Sequence, residues 1–355
     1  MMKSIKTTIV LMFTTWFVQA SQAESQGLAK HLSTVEAPIP IKRINPKYPI
    51  SAARQGRTGW ATFSFVIEKN GSVSNIVKLD SSGSKDFERE SLKAIKHWKY
   101  KPAMENGEPI QRCVNTVQLD FKMSANAGED GVRRRFMKKY RLALEALEEK
   151  KITAVEQYID EMSSFNNRYA SESNLLNLLK ARYNEAIDNK QLQFTYLSKV
   201  QFNYGKDKGV QYKLALTHNK LVLAVQLNQL NKALMLLDAL TAMPLNEQQK
   251  LTYQQLEQNI HNTIKSDKTI VVKGALHQAP FWNFTPVRNN FSIVNVSGLL
   301  TKMDVRCANK YHSYTVNEQS TWQIPENWQG CNVILYGQSG TTFDFVELSE
   351  VANEA

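Results

Sequence analysis

The sequence predicts a multidomain chain: an α+β domain of order β-β-α-β, then an α-helical hairpin array, then a small β-sandwich. Three observations predict it. An alternating run around Trp60–Ile67 leads through Asn70-Gly71 into a second strand-like run. Residues 130–265 carry apolar stripes at helical spacing. Residues 268–350 turn to short runs rich in Val, Thr, Phe, Trp, Gly and Asn. At 355 residues the chain is long enough for several cores, and its formal charge of +11 suits acidic partners without selecting one.

Residues 1–23 read as an export signal. Lys3 and Lys6 are basic, Thr7–Val18 is apolar, and Ser21-Gln22-Ala23 supplies small residues. A run of about twelve is short for the ~30 Å hydrocarbon core, so cleavage and a periplasmic location are expected. The alternative is an inner-membrane anchor left uncleaved. In an oxidising compartment Cys307 and Cys331, which share one domain near strand ends, are the expected disulfide. Cys113 is left as a small buried thiol.

In the first domain, 36–124, Ala61, Phe63, Phe65 and Ile67 face one way and Trp60, Thr62 and Ser64 the other. Asn70-Gly71 suits a tight turn with positive φ, and Val73–Leu79 returns. Gly83 and Ser84 break the strand. Asp86 and Glu88 fall in a first helical turn, and Phe87, Leu92 or Ser91, Ile95 and Trp98 form the helix's apolar face. Pro102 ends the helix, Asn106-Gly107 turns the chain, and Val114–Phe121 is the third strand.

The linker Ser124–Gly131 leads to helices at Phe136–Glu149, Ile152–Met162, Glu172–Ile187 and Leu192–Phe202, with two more in Leu214–Gln249 ending at Pro244. The array is similar to degenerate tetratricopeptide hairpins, although no clear repeat of about 34 residues recurs. After Ile264–Lys268, six short runs read as sandwich strands: 269–276, 289–298, 301–309, 321–325, 331–340 and 341–348. Trp282, Trp322 and Trp328 are either core or a glycan platform.

The chain lacks GxSxG, GxxxxGK[ST], HExxH and a glycine-rich dinucleotide loop, and its six histidines stand singly. A binding protein without cofactor or metal is therefore expected, rather than an enzyme. The run Arg133, Arg134, Arg135, Lys138, Lys139 and Arg141 is either a solvated helix start or a patch for peptidoglycan carboxylates or lipid phosphates, and export makes nucleic acid an unsuitable partner.

One series in the first domain carries a family resemblance. Pro46-x-Tyr48-Pro49 is followed by Ala52-Ala53, Gly56, Gly59, Asn70-Gly71, Ser81-Ser82-Gly83 and Phe87-Glu88. Trp98-Lys99-Tyr100-x-Pro102 and Asn106-Gly107-x-Pro109 complete it. This order resembles the carboxy-terminal domain of TonB-family proteins. The resemblance implies a partner: an extended segment of an outer-membrane transporter, or of another envelope protein, pairing with the last strand. That strand includes Val114, Asn115, Thr116, Val117, Gln118 and Leu119, with Pro46, Tyr48 and Pro49 lying alongside. Physically this is β-augmentation, in which an edge strand offers unpaired N–H and C=O groups. The Pro-rich spacer of energy-transducing members is missing before the domain, so an adaptor role is expected, with a cell-wall scaffold or a glycan-binding C-terminal module as alternatives.

Overall fold

The computed structural model describes residues 35–122, 131–165, 168–201, 209–277, 279–316 and 320–349. The expected export segment and nearly all of the linker 124–131 lie outside them.

Two short strands, β1 (Val35–Glu36) and β2 (Ile39–Lys42), precede a short helix, α1 (Ile50–Arg54). The expected hairpin is β3 (Gly59–Ile67) and β4 (Val73–Ser81), followed by α2 (Lys85–Ile95). Three short strands, β5 (Lys99–Lys101), β6 (Ala103–Glu105) and β7 (Glu108–Ile110), lead to the long β8 (Arg112–Phe121). The main sheet is antiparallel in the order β4-β3-β8, while β2 pairs with β5 and β1-β6-β7 forms a small sheet. Alternation places Ala61, Phe63, Phe65 and Ile67 on one face, where they pack with Ile95, Trp98 and Leu119. Trp98 is thus core; its indole N–H donates to the Ile44 carbonyl at 2.8 Å.

The hairpin tip differs from the expected two-residue turn. Only Gly71 has positive φ there, at 75°. Its N–H donates to the Glu68 carbonyl at 2.8 Å, and the Glu68 N–H donates to the Ser72 carbonyl at 2.9 Å. This is a wider loop with glycine in the left-handed position.

The helical region comprises α3 (Arg134–Glu148), α4 (Ile152–Ser163), α5 (Ala170–Ala186), α6 (Lys190–Ser198), α7 (Val210–Gln226), α8 (Leu230–Thr241) and α9 (Glu247–Lys265). Three of its turns are the same backbone object. Lys150, Asp188 and Asn228 have φ of 58°, 53° and 54°, roughly forty residues apart. The following N–H groups, of Lys151, Asn189 and Gln229, each donate at 2.8 Å to the carbonyls of Ala146, Asn184 and Ala224. These bonds cap the preceding helices in the Schellman manner. The second helix of each pair, together with the residues that end it, buries equivalent positions: Ile159, Leu197 and Leu237, then Met162, Val200 just past α6, and Leu240.

The last region forms two four-stranded antiparallel sheets. Its strands are β9 (Ile270–Ala275), β10 (Phe281–Phe284), β11 (Asn290–Ser297), β12 (Leu300–Arg306), β13 (Tyr311–Thr315), β14 (Thr321–Gln323), β15 (Asn332–Gly337) and β16 (Thr342–Glu347). One sheet runs β10-β15-β12-β13 and the other β14-β11-β16-β9. β10 and β13 are additional to the six expected runs. Phe284, Met303 and Val333 of the first sheet share a core with Val272, Phe291 and Phe345 of the second, and that core continues into α5–α9. Cys307 and Cys331 form the expected disulfide, and Cys113 is a buried free thiol.

The junction at 264–268 is tied down. The buried Arg288 guanidinium donates to the carbonyls of Thr263, Ile264, Ser266 and Lys268 at 2.7–3.0 Å. Beside it, fully buried Glu347 accepts from the N–H groups of Val287 at 2.7 Å and Arg288 at 2.8 Å. Burial pushes the Glu347 carboxyl up to about 7, against the lowering effect of those N–H groups and the Arg288 charge. Between its unfolded value and about 7, the folded state holds a proton that the unfolded state lacks. Stability from this group therefore rises as pH falls from about 7 towards 4.5. Urea unfolding is expected to show Glu347→Gln more stable than the parent at pH 8, by about 2 kcal/mol, with the gap closing near pH 5. A gap that does not change with pH would contradict the assignment.

Candidate peptide-docking flank

β8 lies at one edge of the β4-β3-β8 sheet, paired with β3 from Ile67↔Arg112 to Gly59↔Phe121. Leu119 is buried in the sheet's core, and Val114 and Val117 pack partly against it. Thr116 and Gln118 are exposed. The strand backbone includes Asn115, whose side chain lies outside the described residues. At the start of the strand, the Cys113 N–H donates to the Cys307 carbonyl at 3.4 Å. Its Sγ reaches the Lys310 carbonyl at 3.5 Å, and burial pushes the thiol up to about 12. Among the described residues, this N–H makes the only backbone hydrogen bond from β8 to anything other than β3. From Val114 onward the outer flank carries no strand of the described chain.

Both faces of the sheet are covered, one by α2 and the other by the later regions of the chain. The face away from α2 presents Trp60, Ser64 and Val66, all at most 8% exposed. Arg306, at the end of β12, donates to Ser64 Oγ at 3.1 Å and to the Asn75 carbonyl of β4 at 2.9 Å. Residues after α6 cross the same face. Lys199 pairs with Asp80 at 3.3 Å, and the Gln201 and Gln118 amides exchange hydrogen bonds at 3.2 and 3.3 Å. Asp80 and Gln118 both sit opposite Thr62 in the register, so these contacts span one row of the sheet.

The Tyr-Pro segment runs beside the far end of β8. The Tyr48 ring meets Phe87 and Phe121 edge-on, each at 5.8 Å between centroids, and its hydroxyl donates to the Arg57 carbonyl. Pro46 is partly buried; Pro49 is buried and caps α1 with φ of −63°, the angle its ring imposes. Arg43 lies 4.6 Å over the Trp98 ring.

Sequence reasoning missed Arg57, which organises this corner. Fully buried, it pairs with Asp86 at 2.7 Å and donates to Ser84 and Gln55 at 2.8 Å. Partial burial raises the Asp86 carboxyl, but the hydrogen bonds from Arg57 and Ser84 and the Arg57 charge hold it below its ordinary value. The only sequence signal was a lone basic residue between Gly56 and Gly59.

The basic run is divided. Arg133 is fixed by the buried Glu172, donating through Nε at 2.8 Å and Nη2 at 2.5 Å, and Lys139 pairs with Glu161. Arg134, Arg135 and Lys138 remain exposed. Trp282 is core, stacked on Phe284 at 5.1 Å, whereas Trp322 and Trp328 are partly buried against that core. Among the described residues, no cluster of His, Cys, Asp and Glu is arranged to hold a metal ion, and no helix is long and apolar enough to cross a membrane.

Residues 44–123 match the family described as Gram-negative bacterial TonB protein C-terminal. Protein TonB of Vibrio cholerae is 28% identical over 102 residues, covering 28% of this chain and 41% of that protein. Protein TonB of Xanthomonas campestris is 34% identical over 89 residues, covering 25% and 39%. Protein tonB2 of Pseudomonas aeruginosa is 32% identical over 79 residues, covering 22% and 29%. This chain thus spans about two-fifths of the length of the first two relatives. Among solved structures, the Pseudomonas aeruginosa TonB C-terminal domain in solution is 28% identical, with 25% of this chain and 90% of that chain covered and a TM-score of 0.23. The TonB2 protein of Vibrio anguillarum is 28% identical, with 34% and 99% covered and a TM-score of 0.21.

Proposed function

We propose, from the TonB C-terminal domain that residues 44–123 form, that this chain is a periplasmic adaptor that captures an extended segment of an outer-membrane transporter or another envelope protein on the β8 flank. The observation that carries this reading is the asymmetry of the sheet. Both β4 and β8 are edge strands that pair only with β3, but β4 has its Asn75 carbonyl taken by Arg306 and its Lys78 and Asp80 side chains paired with Glu88 and Lys199, whereas the β8 main chain from Val114 to Phe121 bonds, among the described residues, to β3 alone. A strand laid there gains main-chain hydrogen bonds, and its alternate side chains meet Thr116, Gln118 and the Tyr48 corner. We read the helix pairs as a tetratricopeptide-like array and the two C-terminal sheets as a β-sandwich, together forming the scaffold that holds the domain. The function is binding rather than catalysis.

The test uses the full chain. A fluorescent transporter segment is titrated alongside a version N-methylated at alternate residues, which removes the donors a ladder needs. N-methylation is expected to weaken binding at least tenfold, about 1.4 kcal/mol. Thr116→Cys is expected to cross-link to peptide cysteines at every second position, the period of a strand. Equal binding of the methylated peptide, or cross-links without that period, would overturn the proposal.

A further inference from the structure

Exposed isoleucines gather at the entry to the amino-terminal domain. Ile39 and Ile41 of β2 are 57% and 73% exposed, and Ile44 and Ile50 follow, also exposed. The other exposed large apolar side chains among the described residues are spread over the helices and the β11–β12 turn. Scattered apolar side chains on a surface are ordinary, whereas a group of them marks a place of contact.

The pairing of β2 with β5 decides which side chains share a face. Opposed residues of an antiparallel pair point to the same side. Ile39 stands opposite Lys101 and Lys42 opposite Lys99, with a bulge between Pro40 and Lys42. The extra residue of that bulge is Ile41, so Ile41 and Lys42 together oppose Lys99. All four residues of β2 are exposed, as are Lys99 and Lys101. Tyr100, between the two lysines, turns the other way into the core. The outer face of this ribbon therefore presents Ile39 and Ile41 among Lys42, Lys99 and Lys101. Lys101 has Glu36 at 3.9 Å, both exposed. Among the described residues, Lys42 and Lys99 are in no ion pair, so the face keeps a net positive charge.

We propose that this face docks on an anionic lipid surface. Ile39 and Ile41 enter the headgroup region, while Lys42, Lys99 and Lys101 meet the lipid phosphates with their stems along the apolar side. Charge and area favour lipid over protein. A second copy laid face to face would set these lysines against their own kind. Pairing along the free edge of β2 is blunted by Pro40, which has no N–H to donate. The footprint is small: four residues at about 3.3 Å each, across two strands about 4.8 Å apart. That is several-fold below the roughly 800 Å² per partner of a stable protein interface. A fluid lipid surface needs no matched area. An acidic polysaccharide would answer the lysines and leave the isoleucines in water. The face shares no residue with the β8 flank, so the two readings fail separately.

The test uses the full chain, labelled with the polarity-sensitive dye NBD at Ile41→Cys or, as control, at Met235→Cys on the exposed side of α8. Phosphatidylcholine vesicles are compared with vesicles that also hold about one-third phosphatidylglycerol. On the anionic vesicles the label at position 41 is expected to brighten and shift to the blue, while the label at 235 stays as in buffer. Affinity for the neutral vesicles is expected to be at least tenfold lower, and salt of about 0.5 M should weaken the anionic response. Replacing Lys42, Lys99 and Lys101 together by Gln is expected to cost at least tenfold in affinity. Its thermal unfolding should match the parent, because all three side chains are exposed. An apolar anchor elsewhere in the chain would neither place position 41 in lipid nor respond to these lysines. The proposal is overturned if the label at 41 ignores anionic vesicles, responds alike to neutral ones, or responds unchanged in the folded triple variant. It is also overturned if that label is blue-shifted without lipid. A shift that grows with protein concentration would make a second copy the occupant, and one that does not would make it the chain itself.

Discussion

Replacing Arg306 with methionine is expected to detach the amino-terminal domain from the C-terminal sheets and to cost about 3–5 kcal/mol of their joint stability. Arg306 is 1% exposed. Its guanidinium is shared between Ser64 and Asn75 on one side of the seam and Asp304, at 3.4 Å, on its own strand. Asp304 is equally buried, with Lys302 at 3.1 Å and the Tyr336 hydroxyl donating at 3.1 Å as its other partners. Methionine keeps much of the apolar stem but removes every donor. The buried Ser64 hydroxyl then loses a partner, and the Asp304 carboxylate is left under-neutralised away from water. Breaking one side of a buried pair is costly for that reason, even where the intact pair adds little net stability. Lys199→Met removes a charged link from the helical region to the same amino-terminal domain, but Lys199 and Asp80 are each about one-third exposed. That change is expected to cost less than about 1 kcal/mol. Hydrogen exchange in β3 and β4, followed alongside calorimetric unfolding, measures both. Arg306→Met should raise exchange around Ser64 and Asn75 and split a single transition into two. An unchanged exchange pattern would mean that the domains do not lean on each other.

That seam also shows where reading the sequence stops. The inward face of β3 was legible because Ala61, Phe63, Phe65 and Ile67 alternate, and a period of two is a local property. The opposite face was not, because Ser64 looks like a solvent-side serine until Arg306, far along the chain, is placed over it. Arg57 was hidden for the same reason: burial of a lone arginine depends on Asp86 and Ser84 arriving from another element. The helices were legible from their apolar stripes, but their repeat was not. Lys150, Asp188 and Asn228 adopt one backbone conformation with three different side chains, so the geometry recurs where residue identity does not. The Pro46–Tyr48–Pro49 segment was legible as a motif, since proline fixes backbone shape locally.

Gly71→Ala is the second large effect expected, on the order of 4 kcal/mol against the amino-terminal domain, from two independent causes. The first is conformational: φ at this position is 75°, in the left-handed region that alanine enters at a cost of roughly 1–2 kcal/mol. The second is steric. A Cβ built on Gly71 would stand 1.8 Å from the Tyr100 carbonyl oxygen and 2.9 Å from its carbon. These are backbone atoms, so no rotamer change relieves the clash. Nor can the strand withdraw freely, because the Tyr100 N–H donates to the Gly71 carbonyl at 2.9 Å, and Tyr100 is 8% exposed in the core. Gly107 supplies the control. Its φ is 86°, but a Cβ there would meet nothing within 4 Å. Gly107→Ala therefore carries the conformational cost alone, about 1–2 kcal/mol. Denaturant unfolding of the two variants separates the causes, and equal losses would refute the steric one. The difference should extend to binding as well. Tyr100 sits on β5, which pairs with β2, and Trp98 just before it holds the Ile44 carbonyl. Pushing β5 away from the hairpin tip thus loosens the segment that carries Pro46, Tyr48 and Pro49. Gly71→Ala should weaken capture of an extended peptide on β8 even where the chain remains folded, whereas Gly107→Ala should leave it unchanged.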